Sequence, residues 1–328
     1  MSGAREATSV GVTERREGPP RASSAPSGGS AVREATSVGV ITLIGAGNMG
    51  GGMAANLLGR GWGVQVCDID PVKVADMTRI GAVALAKPAQ AAIDSIAFIV
   101  CVVDAAQTED VLFGEHGLAG MLQPGHAVML CPTIAPQDVE SFASRLAERG
   151  VHTLDAPMSG GPARARDGSM SLMLACAQSV YEQQAGLLQA LSSKVFRISE
   201  KPGDAARTKL VNNLLAGINL VGAAEALALA ARLGLDLGKT LDVIEQSSGQ
   251  SWIGSDRMRR AIAGDYAPRA HVTLLEKDTR LALQAARAAG FEGPLGAPAS
   301  RVFEQAHAAG LAAQDDAALF KYLSRRRD

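Results

Sequence analysis

The chain has 328 residues, 47% of them hydrophobic and 20% charged, with a formal net charge of −1. That length allows two domains with full cores, and the near-neutral balance gives no electrostatic case for nucleic acid or an anionic membrane surface. Four cysteines (Cys67, Cys101, Cys131 and Cys176) lie far apart and the histidines are scattered, so no metal centre is expected, and a reducing, cytoplasmic setting fits best.

Residues 1–38 are rich in Ser, Gly, Pro and Arg, contain no apolar stretch of signal-peptide type, and read as a disordered tail. Arg5–Val12 recurs verbatim as Arg33–Val40. The second copy runs into a strand, so the fold is expected to begin near Gly39; a duplicated strand entry and a start codon upstream of the real N-terminus would both leave this trace.

Val40–Ile44 is that strand. Gly45-Ala46-Gly47-Asn48-Met49-Gly50 follows, then an Ala/Leu-rich helical run, then Val64–Asp68, a second strand ending in a carboxylate. This order builds a dinucleotide site: Gly45 for the sharp turn, Gly47 for backbone approach to a pyrophosphate, Gly50 for close helix–strand packing. The helix N-terminus offers free N–H groups to the phosphates. Asp68 suits the adenosine ribose hydroxyls and would repel a 2′-phosphate, and Ile69 and Asp70 supply no compensating arginine. NAD is favoured over NADP.

Strand-like runs recur at Ala97–Val103, Ala127–Leu130, Val151–Leu154, Ser171–Ala175 and Lys194–Ile198, with helical stretches such as Pro136–Glu148 and Val180–Leu191 between them. Such alternation predicts a doubly wound, largely parallel sheet over 39–200. From residue 201 to 328 only helical patterns remain, a second, all-α domain. Its first helix, Asp204 to Leu233, would be about 45 Å long at 1.5 Å per residue. Asn212, Asn213, Asn219 and Glu225 interrupt its apolar run, so it reads as a helix buried in protein rather than a membrane span, with a buried partner expected for Glu225. So apolar a helix is expected to be covered by both domains or by another subunit, in a homodimer or homotetramer.

Ligands of doubly wound sheets lie beyond the carboxyl ends of the strands, which directs attention to the loops there. These are Val103-Asp104, Cys131-Pro132-Thr133 and Asp155-Ala-Pro-Met-Ser159-Gly160-Gly161. The last joins a hydroxyl to two glycines whose N–H groups can converge on a carboxylate; an ordinary turn is the alternative. On the long helix Lys209 and Asn213 are four apart and share a face. In apolar surroundings the Lys209 amine would exchange protons near neutral pH; a surface lysine is the bland alternative.

Together these motifs resemble the β-hydroxyacid dehydrogenase family, which includes 3-hydroxyisobutyrate, tartronate semialdehyde and 6-phosphogluconate enzymes. The resemblance runs from residue 39 to about 323 and rests on Gly45–Leu58, Asp155–Gly161, Gly203–Asn213 and Lys277-Asp278. It implies an α/β Rossmann-type sheet followed by an all-α domain, and NAD-dependent oxidation of a small hydroxy acid. By the same resemblance Lys209 is the general acid/base and Asn213 orients the hydroxyl or the lysine. Ser159, Gly160 and Gly161 hold the substrate carboxylate. Gly45 to Gly50, Asp68, Val103, Asp104, Thr133 and Lys277 contact the cofactor. Several segments, among them Ala105–Gln107, Ser251-Trp252 and Gly264–Tyr266, are similar to the branch that acts on four-carbon acid sugars, whereas Asn212-Asn213 is closer to the hydroxyisobutyrate branch. Two positions depart from the family pattern: Pro132 stands where a serine is usual, and Ala205 where a glycine is. An imine-type reductase on the same scaffold would prefer NADP and another proton donor, and a non-catalytic NAD-binding scaffold would be expected to lack the lysine.

Overall fold

The computed structural model describes residues 38–325, so the expected tail, Val38 apart, lies outside the described residues. The uncharged run Val40–Ile44 forms β1 in the middle of the sheet, where a strand covered on both faces is near-continuously apolar, and its one polar residue, Thr42, is hydrogen-bonded to Gln65 and Ser95. Helix α1 (Asn48–Gly59) leads to β2 (Gly63–Cys67), α2 (Pro71–Arg79) and the two-residue β3 (Val83–Ala84). The chain then crosses to the other side of β1 for β4 (Ala97–Val100), α3 (Ala105–Phe113), β5 (Ala127–Leu130), α4 (Pro136–Ala147) and β6 (His152–Asp155). Pairing is parallel throughout, in the order β3-β2-β1-β4-β5-β6. The reversal of order between β1 and β4 opens a crevice at their carboxyl ends, where Gly45 and Cys101 follow the two strands.

Beyond β6 the sheet departs from the parallel rule. The short β7 (Met158–Ser159) and β6 both pair antiparallel with β8 (Met170–Ala175), and β9 (Ser192–Ser199) then adds parallel to β8. The connection from β7 to β8 holds the seven-residue α5 (Gly161–Asp167) and three flanking residues, short of the dozen or more a parallel crossover needs. The single helix expected over Val180–Leu191 is two, α6 (Gln178–Gln183) and α7 (Ala185–Leu191). They meet at Gln184, which is fully buried and donates from Nε2 to the Ile96 carbonyl at 3.2 Å. Asp104, expected in a loop, caps α3 by accepting from the Gln107 amide.

From Asp204 on, the named elements of the described residues are helical, as expected. Helix α8 (Asp204–Arg232) carries α10 (Trp252–Ile262), α11 (Val272–Ala288), α12 (Gly296–Ala306) and α13 (Ala318–Leu323) on one side, with α9 (Leu237–Glu245) beyond its end. Leu220, Ala224 and Leu227 of α8 pack with Met258, Leu275 and Phe303. At Gly217 the helices approach so closely that a Cβ would lie 2.6 Å from the Thr279 methyl. Among the described residues, nothing covers the side of α8 turned away from these helices. Glu225 lies there, exposed, rather than beside the expected buried partner. Among the described residues α8 alone has the length and apolarity to cross a membrane, but it packs as the spine of a helical core.

The joint between the two halves is a buried carboxylate. Gly203, the residue before α8, has φ +100° and offers no side-chain cap. Instead Asp155, at the end of β6, accepts hydrogen bonds from the amides of Gly203 (2.7 Å), Ala205 (3.1 Å) and Ala206 (3.1 Å). A negative charge at a helix N-terminus satisfies orphan N–H groups and complements the dipole. Ala205, the departure from glycine, is helical, and its methyl is buried with Met173 and Ala175. Burial outweighs the three amide bonds and pushes the Asp155 carboxyl up to about 6.

Asp155→Ala would leave three buried amides without an acceptor and should lower the unfolding free energy by about 2–4 kcal/mol, with Asp155→Asn milder. Because the folded chain holds this proton more tightly than the unfolded one, the associated stability is full below an ordinary aspartate pKa of about 4 and is lost as pH rises through about 6. Denaturant titrations of wild type against Asp155→Asn should show wild type losing ground across that window.

Candidate active site

The glycine turn has the geometry its sequence requires. Gly45 has φ +93°, and a Cβ there would run into the Cys101 carbonyl; a Cβ on Gly50 would overlap the Gly45 carbonyl. Gly47 differs: a Cβ there would meet nothing within 4 Å. The space beside Gly47 is therefore open, and α1 starts there with no side-chain cap and no acidic residue in its first turn. Free N–H groups facing open space suit a pyrophosphate.

Asp68 is tied to this turn. Its Oδ2 accepts from the Ala46 amide at 2.6 Å and its Oδ1 from the Asp70 amide at 2.8 Å, leaving each oxygen a further lone pair. It lines a shallow cleft of about 780 Å³ with Ile69, Val74, Thr78 and Leu85. Ile69 is 99% exposed, an apolar face free to stack on a flat ring. Arg79 also borders this cleft, a proximity that sequence separation concealed, and pairs with Asp76 at 2.8 Å. These residues fit the adenosine half and pyrophosphate of a nicotinamide dinucleotide. Val103, half exposed, and Asp104 lie just beyond β4 on the other side of the crevice.

The second cluster assembles around α8. Lys209 is buried and its Nζ donates to the Met158 carbonyl at 2.7 Å, at the start of the Ser159-Gly160-Gly161 loop. Gly160 and Gly161 both have positive φ, +129° and +73°. α5, which follows them, packs on α1 so tightly that a Cβ on Gly52 would lie 2.9 Å from the Ala165 Cβ. Asn213, buried one turn beyond Lys209, donates to Asp278 Oδ2 at 2.6 Å and accepts from Asn212 at 3.0 Å. Lys277 is held 2.9 Å from Asp278 Oδ1 and donates to the Thr133 carbonyl, tying α11 to the loop after β5. The structure thus brings Met158, Lys209, Asn213, Asp278, Lys277 and Thr133 together from four segments.

Burial lowers the pKa of Lys209; the Asp278 carboxylate opposes that shift and the Lys277 ammonium adds to it. A buried amine that can shed its proton, backed by a carboxylate, is equipped for acid/base work. Burial pushes the Cys101 thiol up to about 12 and raises that of Cys131 as well, which disfavours a thiolate at either. Sequence reasoning missed Asp278 as a site residue, although it adjoins Lys277. It also missed the Met158 carbonyl and the capping role of Asp155. Only a buried acid in an otherwise apolar helix face could have signalled Asp278.

Residues 40–199 match the family described as the NAD binding domain of 6-phosphogluconate dehydrogenase. Residues 203–323 match that described as NAD-binding of NADP-dependent 3-hydroxyisobutyrate dehydrogenase. The L-threonate dehydrogenase of Cupriavidus necator is 39% identical over 86% of this chain and 95% of its own. A crystal structure of 3-hydroxyisobutyrate dehydrogenase from Salmonella typhimurium superposes with a TM-score of 0.81 at 36% identity, over 86% of this chain and 99% of that one. Psf3 in complex with NADP+ and 2-OPP also reaches a TM-score of 0.81, at 27% identity over 87% of this chain and 100% of that one.

The two glycines should part company on substitution. Gly47→Ala keeps an allowed φ of −63° and open space, so it should leave the thermal midpoint within a few degrees while weakening dinucleotide binding by about 10-fold or more. Gly50→Ala should lower the midpoint itself. Differential scanning calorimetry and a fluorescence titration with NADH separate the two effects.

Proposed function

The chain belongs to the β-hydroxyacid dehydrogenase family of 3-hydroxyisobutyrate and 6-phosphogluconate dehydrogenases, and on that premise we propose that it oxidises a four-carbon acid sugar such as L-threonate at a secondary hydroxyl. That it is an NAD-binding dehydrogenase follows from family membership. The observation that carries the mechanism is the buried Lys209 amine beside the Met158 carbonyl, with Asn213 and Asp278 behind it.

In this reading the Ser159–Gly161 loop receives the substrate carboxylate, and its N–H groups orient the acid so that a neighbouring hydroxyl faces Lys209. The neutral amine accepts the hydroxyl proton as the carbon is oxidised. The ammonium so formed sits near the Asp278 charge, which favours it. Asn213 is held by Asp278 and by Asn212, so its position does not depend on substrate. The bound cofactor supplies the hydride acceptor. Asp68, at the adenosine end, supports NAD over NADP, and Arg79, already paired with Asp76, is the group against which that preference is set. The L-threonate branch is supported by the 39% identity to the Cupriavidus enzyme; 3-hydroxyisobutyrate is the second substrate to test, because the Salmonella structure carries that name.

Lys209→Ala should lower kcat by about 10²- to 10⁴-fold with NADH affinity nearly unchanged. In wild type, oxidation should rise with pH through an inflection below the ordinary lysine value, since the base is the unprotonated amine and burial lowers its pKa. Asp278→Asn removes the opposing charge and should move the inflection to lower pH still. A full-activity Lys209→Ala variant sinks the mechanism. Oxidation of 3-hydroxyisobutyrate with failure on every four-carbon aldonate sinks the branch assignment. Asp68→Ala should raise the ratio of NADP to NAD efficiency by about 10-fold or more, read as kcat/KM for each cofactor.

A further inference from the structure

Helix α5 carries an arginine that the network around Lys209 does not use. Arg164 lies in the middle of α5, four residues after Gly160, which precedes the helix. Side chains on a helix lean toward its N-terminus, over the residue four positions back. Arg164 does so: a Cβ built on Gly160 would lie 2.7 Å from the Arg164 Cδ and 3.0 Å from its Cβ. The positive φ of Gly160 already calls for glycine, and the arginine stem fills the space that the missing side chain leaves. The guanidinium, one bond beyond Cδ, is thereby held beside the Ser159-Gly160-Gly161 loop. Among the described residues no hydrogen bond or ion pair engages it, whereas Arg60, Arg79, Arg145, Arg149 and Arg197 of the same half each hold an acceptor. Asp167, one turn further along α5, is turned to the Ser169 amide at 2.8 Å.

We propose that Arg164 determines specificity for the free acid: its guanidinium closes on the carboxylate received by the Ser159–Gly161 loop, so that neutral relatives of the substrate are rejected. The proposal rests on the reading that this loop receives the carboxylate. Backbone N–H groups bind the carbonyl of a neutral amide as well as a carboxylate, so they orient without selecting charge. A guanidinium adds a full positive charge and a planar fork that matches both carboxylate oxygens. The cofactor phosphates are the other anion within range of α5. That helix meets α1 at Gly52, through Pro162, Ala165 and the Arg166 amide, a turn past the free amides of α1. Arg164 instead lies over Gly160, two residues from the Met158 carbonyl that takes the Lys209 amine. Its place is at the substrate end of the crevice.

Steady-state kinetics of the full chain with L-threonate and with 3-hydroxyisobutyrate test this, since either acid carries the carboxylate. Arg164→Leu should raise KM for the oxidised acid about 10- to 100-fold and leave kcat within about threefold, the mark of lost binding rather than lost chemistry. Arg164→Lys keeps the charge without the fork and should fall between wild type and Arg164→Leu. The primary amide of the same acid, measured as a competitive inhibitor, should bind wild type more weakly than the acid does, and Arg164→Leu should remove most of that difference. NADH affinity, read by fluorescence titration, should not move. Arg164 is exposed, and circular dichroism melts check that each variant is folded. Ser159→Ala separates this proposal from the reading beneath it. A raised KM in Ser159→Ala with none in Arg164→Leu overturns the arginine alone; no rise in either overturns the loop reading with it. Equal losses on acid and amide, or weakened NADH binding with KM unchanged, also overturn the proposal.

Discussion

The carboxylate of Asp155 is the contact on which the arrangement of the site depends. It ends the last strand of the parallel series and at the same time holds the first three free amides offered by α8 and the residue before it. A buried charge is costly, and here its surroundings are three N–H groups and the positive end of a helix dipole rather than a cation. The result is a joint with direction as well as strength: α8 leaves the sheet along one axis, and Lys209 arrives little more than a turn later, on the side facing Met158. The lysine and its carbonyl partner are 51 residues apart in sequence and 2.7 Å apart in space. Nothing in α8 itself would choose that register.

A second constraint is the charge balance around Lys209. Lys209 and Lys277 share one carboxylate, Asp278, within a region largely closed to water. Burial and the Lys277 ammonium lower the Lys209 pKa, and the Asp278 carboxylate opposes that shift. On this network Asn213 donates to Asp278, and the Thr133 carbonyl accepts from Lys277. Lys209 and Asn213 come from α8, Lys277 and Asp278 from α11 and Thr133 from the loop after β5, so the network exists only when the sheet and the helical half are packed together.

Much of this was legible in the amino-acid order. The glycine turn, the strand before it and Asp68 after it are local features with strict backbone demands, and the observed φ of Gly45 and the tight contacts at Gly50 meet them. The boundaries of α8 were equally readable, because a long apolar run between Gly203 and Gly234 permits little else. Lys209 and Asn213 could be placed on one helix face from their spacing alone. The antiparallel β8 was not readable: a strand pattern states that a strand exists, not which way its neighbour runs. Nor does periodicity show the break between α6 and α7 at Gln184, whose side chain donates to the Ile96 carbonyl on another segment. A buried partner for Glu225 requires the apolar helix around it to be covered, and among the described residues that face is open.

By itself, then, the sequence determined the dinucleotide turn, the two halves of the chain and the helix face that Lys209 shares with Asn213, because these rest on backbone conformation and on periodicity within one element. Only the tertiary structure decided what surrounds that amine. Asp155, Met158, Asp278 and the Thr133 carbonyl reach the site from separate segments, and their roles depend on ångström-scale distances that no local pattern encodes. A lysine in the sequence is a cation by default; burial beside the Met158 carbonyl lowers its pKa.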